Sequence, residues 1–316
     1  MATQPTGEYC DMVLKAQQNP EAFWLQQAQR LAWQTFPQAA SRSDFTGDVL
    51  VQWYPGGVLN ASESCLDRHL HTQPNKAALI WEGQEDGQRE VLSYKDLHAR
   101  VCRLANTMRR LGVKKGECVA IHLPMVAEGI IAMLACARIG AIHVVLFGGF
   151  SPEGLAERLS DSGAVLVLTA DVARRGDKRI PSKETMDTAL LRCAEKSRVQ
   201  HVLVVPVTGA SVPMQVGRDL NYAQEVAKEQ PDCPAEPMQA QDPLFLLYTS
   251  GSTGRPKGLV HGTGGYMVWA SFTQAVTFDH KPTDVFWCTA DISWITGHTY
   301  VVYGPLANGG TIMVYE

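Results

Sequence analysis

The sequence has no excess of either charge: 28 lysines and arginines against 32 aspartates and glutamates leave a net −4. That excludes a nucleic-acid binder with a broad basic face, which would draw its affinity from many phosphate contacts. A local basic pocket is still allowed. Long hydrophobic runs are missing too. The most apolar stretch, 129–150, is broken by Arg138 and His143. Its longest clean part, 129–137, falls far short of the roughly 20 residues that cross a bilayer. The N-terminus carries Glu8, Asp11 and Lys15 and no apolar segment, so it reads neither as a secretory signal nor as a transit peptide. The eight cysteines form no Cys-x-x-Cys pair and no Cys/His group with zinc spacing. Reduced, mostly buried thiols in a cytoplasmic protein are expected, with no protein-held metal site. Asn60-Ala-Ser62 matches a glycosylation sequon, read as chance without a signal peptide. Internal repeats and low-complexity tracts are absent.

The composition is that of an ordered globular chain. Of 316 residues, 45% are hydrophobic and 19% charged, enough to bury a sizeable core and to exclude disorder as the main state. That length suggests about two domains or one large one. Residues 1–60 are aromatic-rich and irregular, with one helix expected from Pro20 to about Trp33. They read as an extension packing on the main body. From Ser93 the pattern is regular: Ser93 is an N-cap with Asp96 three residues on, and apolar residues recur at helical spacing up to Gly112. Strands are expected at 117–123, 141–147, 164–169 and 201–205, and helices at 126–139, from Ser151-Pro152, and at 183–198. Such alternation gives a doubly wound, mostly parallel α/β sheet with flanking helices. We therefore expect a first α/β subdomain at 61–205. A proline-rich connector with one short helix, 222–228, should span 206–243. A second α/β subdomain should begin at 244. The chain ends on an expected strand, Thr311–Glu316, and a doubly wound sheet needs a covering element there. The sequence is expected to be cut off inside a domain.

The strongest signal is Tyr248-Thr-Ser-Gly-Ser-Thr-Gly-Arg-Pro-Lys-Gly258, between two apolar stretches. Its last ten residues hold three glycines, four hydroxyls and a lysine. Glycines let backbone amides approach an anion, and hydroxyls and a cation complete a polyphosphate grip. It is not a Walker A loop, since no Gly-Lys-Ser/Thr occurs, and not a Gly-x-Gly-x-x-Gly dinucleotide turn. The bland alternative is a flexible surface hairpin.

This stretch resembles the phosphate-binding signature of the acyl-adenylate-forming enzymes, the superfamily of acyl-CoA synthetases, luciferases and nonribosomal adenylation domains. Further blocks resemble the AMP-forming acetyl-CoA synthetases, or acetate–CoA ligases. They are Thr289-Ala-Asp-Ile-Ser-Trp-Ile-Thr-Gly-His-Thr-Tyr300 with Tyr303-Gly-Pro-Leu306, Cys65-Leu-Asp-Arg-His-Leu70, Met133-Leu-Ala-Cys-Ala-Arg-Ile-Gly-Ala141 and Phe147-Gly-Gly-Phe-Ser-Pro152. The resemblance runs from about residue 20 to residue 316. It implies the large N-terminal domain of an adenylate-forming enzyme. It also implies a two-step reaction: acetate and ATP give acetyl-AMP and pyrophosphate, and CoA then takes the acetyl group as AMP leaves.

Residue by residue, the resemblance makes Thr249, Ser250, Gly251, Ser252, Thr253, Gly254, Lys257 and Gly258 the grip on the ATP phosphates. Lys257 and Thr253 are the catalytic members, with Mg2+ bound along with ATP. Trp294, Ile295 and Thr296 would form the acyl pocket, the indole admitting a short acid and blocking a long one. Propionate or another short-chain acid is the alternative substrate, since one methylene discriminates by only ~1–3 kcal/mol. Without the resemblance Trp294 reads as a core tryptophan. Arg175, Gly176, Asp177, Lys178 and Thr296 would bind CoA. Taken alone, 173–179 is a solvated basic loop. The family more often has glycine at positions 177 and 293 and arginine at 178, where this chain has Asp177, Ser293 and Lys178. His261, His280 and His298 give no convincing base, and His298 reads as packing near the pocket. The adenine- and ribose-binding motifs and the C-terminal domain of such enzymes are not in this sequence. Two competing readings are a non-catalytic truncated homologue with residual nucleotide or CoA binding, and an ATPase of another type. The expected partners are small molecules and a C-terminal half, with no nucleic acid or membrane.

Overall fold

Strand alternation assigns the two sides of the main sheet. In the strand Cys118–His122, Val119 and Ile121 point to one core and Ala120 to the other, and all three are buried. Leu166, Leu168, Leu203 and Val205 share the first core; Val144, Val167, Val202 and Val204 share the second. A sheet apolar on both faces must carry helices on both. The helices Tyr94–Arg110 and Ala127–Ile139 cover one face, and Pro152–Ser162 and Ser182–Arg192 the other. The computed structural model describes residues 7–249 and 256–316.

Among the described residues this sheet has seven strands, in the order Asp219–Asn221, His201–Val205, Leu166–Ala170, Cys118–His122, Ile142–Val145, Pro243–Thr249 and Lys257–Gly262. All are parallel but the last, which returns antiparallel to Pro243–Thr249. The chain leaves Cys118–His122 towards Ile142–Val145 on one side, then crosses to Leu166–Ala170 on the other, so the winding reverses here. A second sheet has the order Val285–Trp287, Thr311–Tyr315, Ala77–Glu82 and Arg89–Ser93, with its first three strands parallel. The chain is thus an α/β fold of two mostly parallel sheets with flanking helices. Among the described residues no helix is long and apolar enough to cross a membrane.

Local sequence rules hold at several ends. Ser93 and Asp96 form a capping box on the Tyr94–Arg110 helix. The Ser151 hydroxyl caps the Pro152–Ser162 helix, with proline in its first turn. The helix expected at 183–198 ends at Arg192, and the one expected to run to Trp33 ends at Ala28. Glu8–Gln18 is an additional helix. Segment 206–243 contains two short strands besides the helix Tyr222–Val226: Asp219–Asn221 joins the main sheet, and Met238–Gln239 pairs with Val58–Leu59. Strand pairing crosses the expected division at 206–243 in both sheets. Residues 243–262 extend the sheet built from 118–205, and 77–93 pair with 311–315.

Residues before 60 meet the body through the Val58–Leu59 strand and through Phe23 and Trp24, whose rings pack on Phe272 at 5.8 and 5.3 Å. Asn60 itself is buried. Its Nδ2 donates to the carbonyls of Ala137 (2.8 Å), Arg138 (3.2 Å) and Glu236 (2.9 Å). The sequon asparagine is therefore a core hydrogen-bonding group. Cys65, Cys102, Cys136, Cys193 and Cys233 are buried free thiols.

Arg138, 3% exposed, makes a bidentate pair with Asp67, both contacts at 2.8 Å. Burial pushes the Asp67 carboxyl up, but hydrogen bonds from Arg138 and His98 outweigh it and hold the group well below the usual carboxylate range. A depressed native pKa gives stability that is present above about pH 4 and lost as pH falls through the native value. Asp67→Asn should cost about 3 kcal/mol at pH 7, the scale of breaking a buried pair from one side. The deficit should shrink below about pH 4. Urea melts of both proteins at pH 7 and pH 3 measure it; an equal gap at both would show that the carboxylate charge contributes nothing.

Candidate functional site

In doubly wound sheets a ligand crevice forms beyond the carboxyl ends of the strands, where the winding reverses. A cleft of about 650 Å³ lies there. It is lined by residues following Cys118–His122 (Leu123, Pro124, Met125), following Ile142–Val145 (Phe147, Gly148, Gly149) and following Leu166–Ala170 (Ala173, Arg174, Arg175). The second sheet contributes Trp287 to Asp291 and Tyr315. Trp294 closes one side. The cleft thus sits at the carboxyl ends of parallel strands from both sheets.

Trp294 is 54% exposed, which excludes the core-tryptophan alternative. Its ring lies 6.2 Å from that of Phe147. The segment before it is set by hydrogen bonds: Asp291 Oδ1 accepts from Ser293 N (2.8 Å), the Asp291 carbonyl accepts from Trp294 N (3.1 Å), and Met125 Sδ accepts from Ile292 N (3.4 Å). Among the described residues, those other than glycine with positive φ are Tyr54 and Asp279, so Ser293 meets no backbone demand for glycine. Gly297 does: a Cβ there would collide with the Asp291 carbonyl, and only glycine lets the short helix Ile295–Gly297 fold back so closely. Ile295 and Thr296 are exposed but lie outside the cleft lining.

His298 is buried, and its Nδ1 lies 3.0 Å from the Trp294 carbonyl. A carbonyl only accepts, so Nδ1 carries the proton. Burial lowers its pKa to about 4, which leaves it neutral and structural. His143 stacks on it at 5.3 Å, and burial drives its pKa well down.

The basic segment 173–179 forms a hairpin, Ala173–Arg175 against Lys178–Ile180, where a solvated loop was the bland expectation. Gly176 takes φ +57 at the first turn position, the geometry that a two-residue hairpin asks of glycine. Arg174 and Arg175 line the cleft; Gly176, Asp177 and Lys178 are exposed outside its lining. Arg174 pairs with Glu85, whereas Arg175 makes no ion pair among the described residues.

Of the phosphate-loop residues, Thr249, Lys257 and Gly258 are described. Thr249 faces Lys257 across the antiparallel pair, and both are exposed; Gly258 faces Tyr248. Ser250, Gly251, Ser252, Thr253 and Gly254 lie outside the described residues. Tyr248 shares a small gap with Phe147, Phe150, Arg158, Ser293 and Trp294, which links this strand to the cleft wall. The cleft also holds residues that the sequence reading passed over: Arg174, Cys288 and, most of all, His122. The only sequence signal for His122 is a polar residue closing an apolar strand.

The fold and this cleft at its strand ends belong to a known family. The family profile described as "AMP-binding enzyme" matches residues 66–316, and the chain belongs to that family. A second profile, "Acetyl-coenzyme A synthetase N-terminus", matches residues 9–65. Within the family the chain is similar to the acetyl-coenzyme A synthetase of Caulobacter vibrioides, 50% identical over 309 residues, covering 98% of this chain and 47% of that protein. It is also similar to that of Nostoc linckia, 53% identical over 271 residues, covering 86% of this chain and 80% of that one. Among solved structures, the acetoacetyl-CoA synthetase from Streptomyces lividans superposes with a TM-score of 0.87 at 25% identity, covering 98% of this chain and 46% of that one. The chain spans about half the length of the Caulobacter relative and of the solved structure.

The exposure of Trp294 sets a stability expectation. Trp294→Ala should cost about 1 kcal/mol, mainly the aromatic contact with Phe147. A core tryptophan would cost about 3–5 kcal/mol. Thermal melts of the two proteins distinguish these values.

Proposed function

We propose that this chain carries the ATP-phosphate grip, the acyl pocket and part of the CoA site of an AMP-forming acetate–CoA ligase. The observation that supports it most is the convergence of Arg175 and Trp294, matched separately to CoA and acyl binding, on one cleft at the strand ends. In the first step an acetate oxygen attacks the α-phosphorus of ATP, and the bond to the β-phosphate breaks with release of pyrophosphate. The reaction brings two anions together, so fixed donors and cations around the phosphates lower its barrier. Lys257 supplies charge, Thr249 and the hydroxyls of Ser250, Ser252 and Thr253 supply donors, and Gly251, Gly254 and Gly258 allow close backbone approach. Mg2+, carried by the nucleotide, would add charge neutralisation to that of Lys257.

In the second step the CoA sulfur attacks the acetyl carbon, the bond to AMP breaks, and the thiol proton is released. Arg175 faces the CoA phosphates, with Gly176, Asp177, Lys178 and Thr296 on the approach. Trp294, with Ile295 and Thr296, limits the acyl group to acetate over propionate. The adenine and ribose contacts belong to the part of such ligases that this sequence does not span. A cytoplasmic setting and small-molecule partners go with this reading.

The test is acetate-dependent ATP–pyrophosphate exchange by the chain joined to the remaining half of the Caulobacter relative. Exchange is expected, and a folded protein without it would overturn the proposal. In the same protein Lys257→Ala should slow exchange by about 10²-fold, the scale of one lost transition-state donor. It should change thioester formation from preformed acetyl-adenylate less than threefold. Equal losses would assign Lys257 to the fold.

A further inference from the structure

The main sheet ends differently on its two sides. On one side the outermost strand is Asp219–Asn221, three residues long. It is blunted by charge: the buried Asp219 is held by Lys183 at 2.8 Å and by Arg218 at 2.6 Å. Short edges that carry inward-turned charge are how natural sheets avoid pairing with further strands. On the other side Lys257–Gly262 is six residues long and, among the described residues, has no strand on its outer side. Its one permanent charge is Lys257, at its start. Leu259 is 50% exposed and Val260 64%. Consecutive strand residues point to opposite faces, so the middle of this strand is uncovered on both. The inner strands Cys118–His122 and Leu166–Ala170, by contrast, are buried on both faces.

A groove of about 620 Å³ lies beside this strand. Val260, His261 and Gly262 line it together with Trp24, Trp53 and Trp269, and Trp53 and Trp269 are half-exposed. The aromatic part is preformed. Gly265 of the helix Thr263–Thr277 lets Trp53 come close, since a Cβ there would approach the Trp53 Cβ to 3.1 Å, and the Trp24 ring lies 5.8 Å from that of Trp269. An open strand edge with an apolar groove alongside is the geometry of strand addition: backbone hydrogen bonds give affinity, and alternate side chains fill the groove. The occupant follows from the length of the relatives. This chain covers 47% of the Caulobacter protein, and the profile for the N-terminus of such proteins matches residues 9–65, so that protein continues beyond the matched part for about as many residues again. A segment on the same chain meets the edge at an effective concentration of order millimolar, ahead of a second copy. On family membership, and independently of the reaction, we propose that the half of such a synthetase that this chain does not span adds a strand to Lys257–Gly262 and seats an apolar side chain between Trp53 and Trp269. The contact supplies the partner and the cover that this edge lacks, and it fixes the other half against the strand that opens with Lys257.

The test compares amide hydrogen exchange in the 316-residue chain and in the same chain joined to the remaining half of the Caulobacter relative. Alternate amides of Lys257–Gly262 point away from Pro243–Thr249. They should exchange about 10²-fold more slowly in the joined protein, as expected of amides drawn into a sheet. Val260→Lys should shift the Tm of the 316-residue chain by no more than about 1 °C, as an exposed substitution does, yet lower that of the joined protein and remove the added protection. Equally fast exchange in both proteins would overturn the proposal, and where the joined protein still shows ATP–pyrophosphate exchange the ligase reading survives. A protected edge in a joined protein without that activity supports the docking and overturns the ligase reading. Protection that grows with the concentration of the 316-residue chain alone would give the edge to a second copy and overturn the proposal. Should the joined protein not fold, the intact Caulobacter relative takes its place: slow exchange of its matching strand supports the docking, and exchange as fast as in the 316-residue chain overturns it.

Discussion

A helix buried on every side has no water to satisfy its last carbonyls, and the fold is built around meeting that demand. From Ala127 to Ile139 nearly every residue is buried, including Arg138. Asn60 donates to the carbonyls of Ala137 and Arg138, and Gly140 ends the helix in the left-handed conformation. The Arg138 charge is met by Asp67. Both partners lie in short blocks that carry the family resemblance, so two distant stretches of sequence are tied by one ion pair. The same helix touches the site. A Cβ at Gly129 would approach Ile292 to 2.8 Å, and the turn before the helix holds Ile292 through Met125. Trp81 of the second sheet donates to the Met125 carbonyl at 3.0 Å. The position of the Trp294 segment therefore follows from how one helix is buried between two sheets.

The histidines around the site share one electrostatic logic. His122, His143 and His298 are buried and held neutral by desolvation. His143 Nε2 lies 2.6 Å from Tyr303 Oη and His298 Nδ1 meets the Trp294 carbonyl, so each ring is fixed through one nitrogen. Arg174 and Arg175 share the cleft lining with Asp291 and Glu316, and Arg175 makes no ion pair among the described residues.

What the sequence made legible was local. The capping box at Ser93, the proline-led helix at 152 and the helix 127–139 are written in side chains a few residues apart. Sheet membership was not, because pairing is decided by contacts distant in sequence. Leu79 aligns with Ile312, and Phe245 with His143, through registers that no local period encodes. The division expected at 206–243 failed to foresee this, since prolines mark where regular structure pauses and not where a sheet ends. The hairpin at 173–180 did have a signal, Gly176-Asp177 between basic residues, which net charge obscured. At the site, Trp294 and Arg175 were found through resemblance, whereas His122 needed the cleft itself, because a histidine after four strand residues looks like any other core position.

The relation between the phosphate loop and the cleft is the last link. The strand Pro243–Thr249 pairs with Lys257–Gly262, the last strand of the main sheet, and an edge strand alone is a poor platform for positioning anything. Tyr248, just before Thr249, removes that freedom. Its hydroxyl donates to Asp161 Oδ2 at 2.6 Å, and the Arg158 guanidinium lies 5.6 Å from its ring and 4.0 Å from that of Phe150. Phe150 in turn packs on Phe147, which meets Trp294. A chain of aromatic and cationic contacts thus runs from the strand that starts the loop to the residue that bounds the pocket. The two ends of that run are thereby held at a fixed separation. The anchoring comes from the Pro152–Ser162 helix, which carries both Arg158 and Asp161, so the packing of the main sheet's second face sets the geometry between Tyr248 and Trp294.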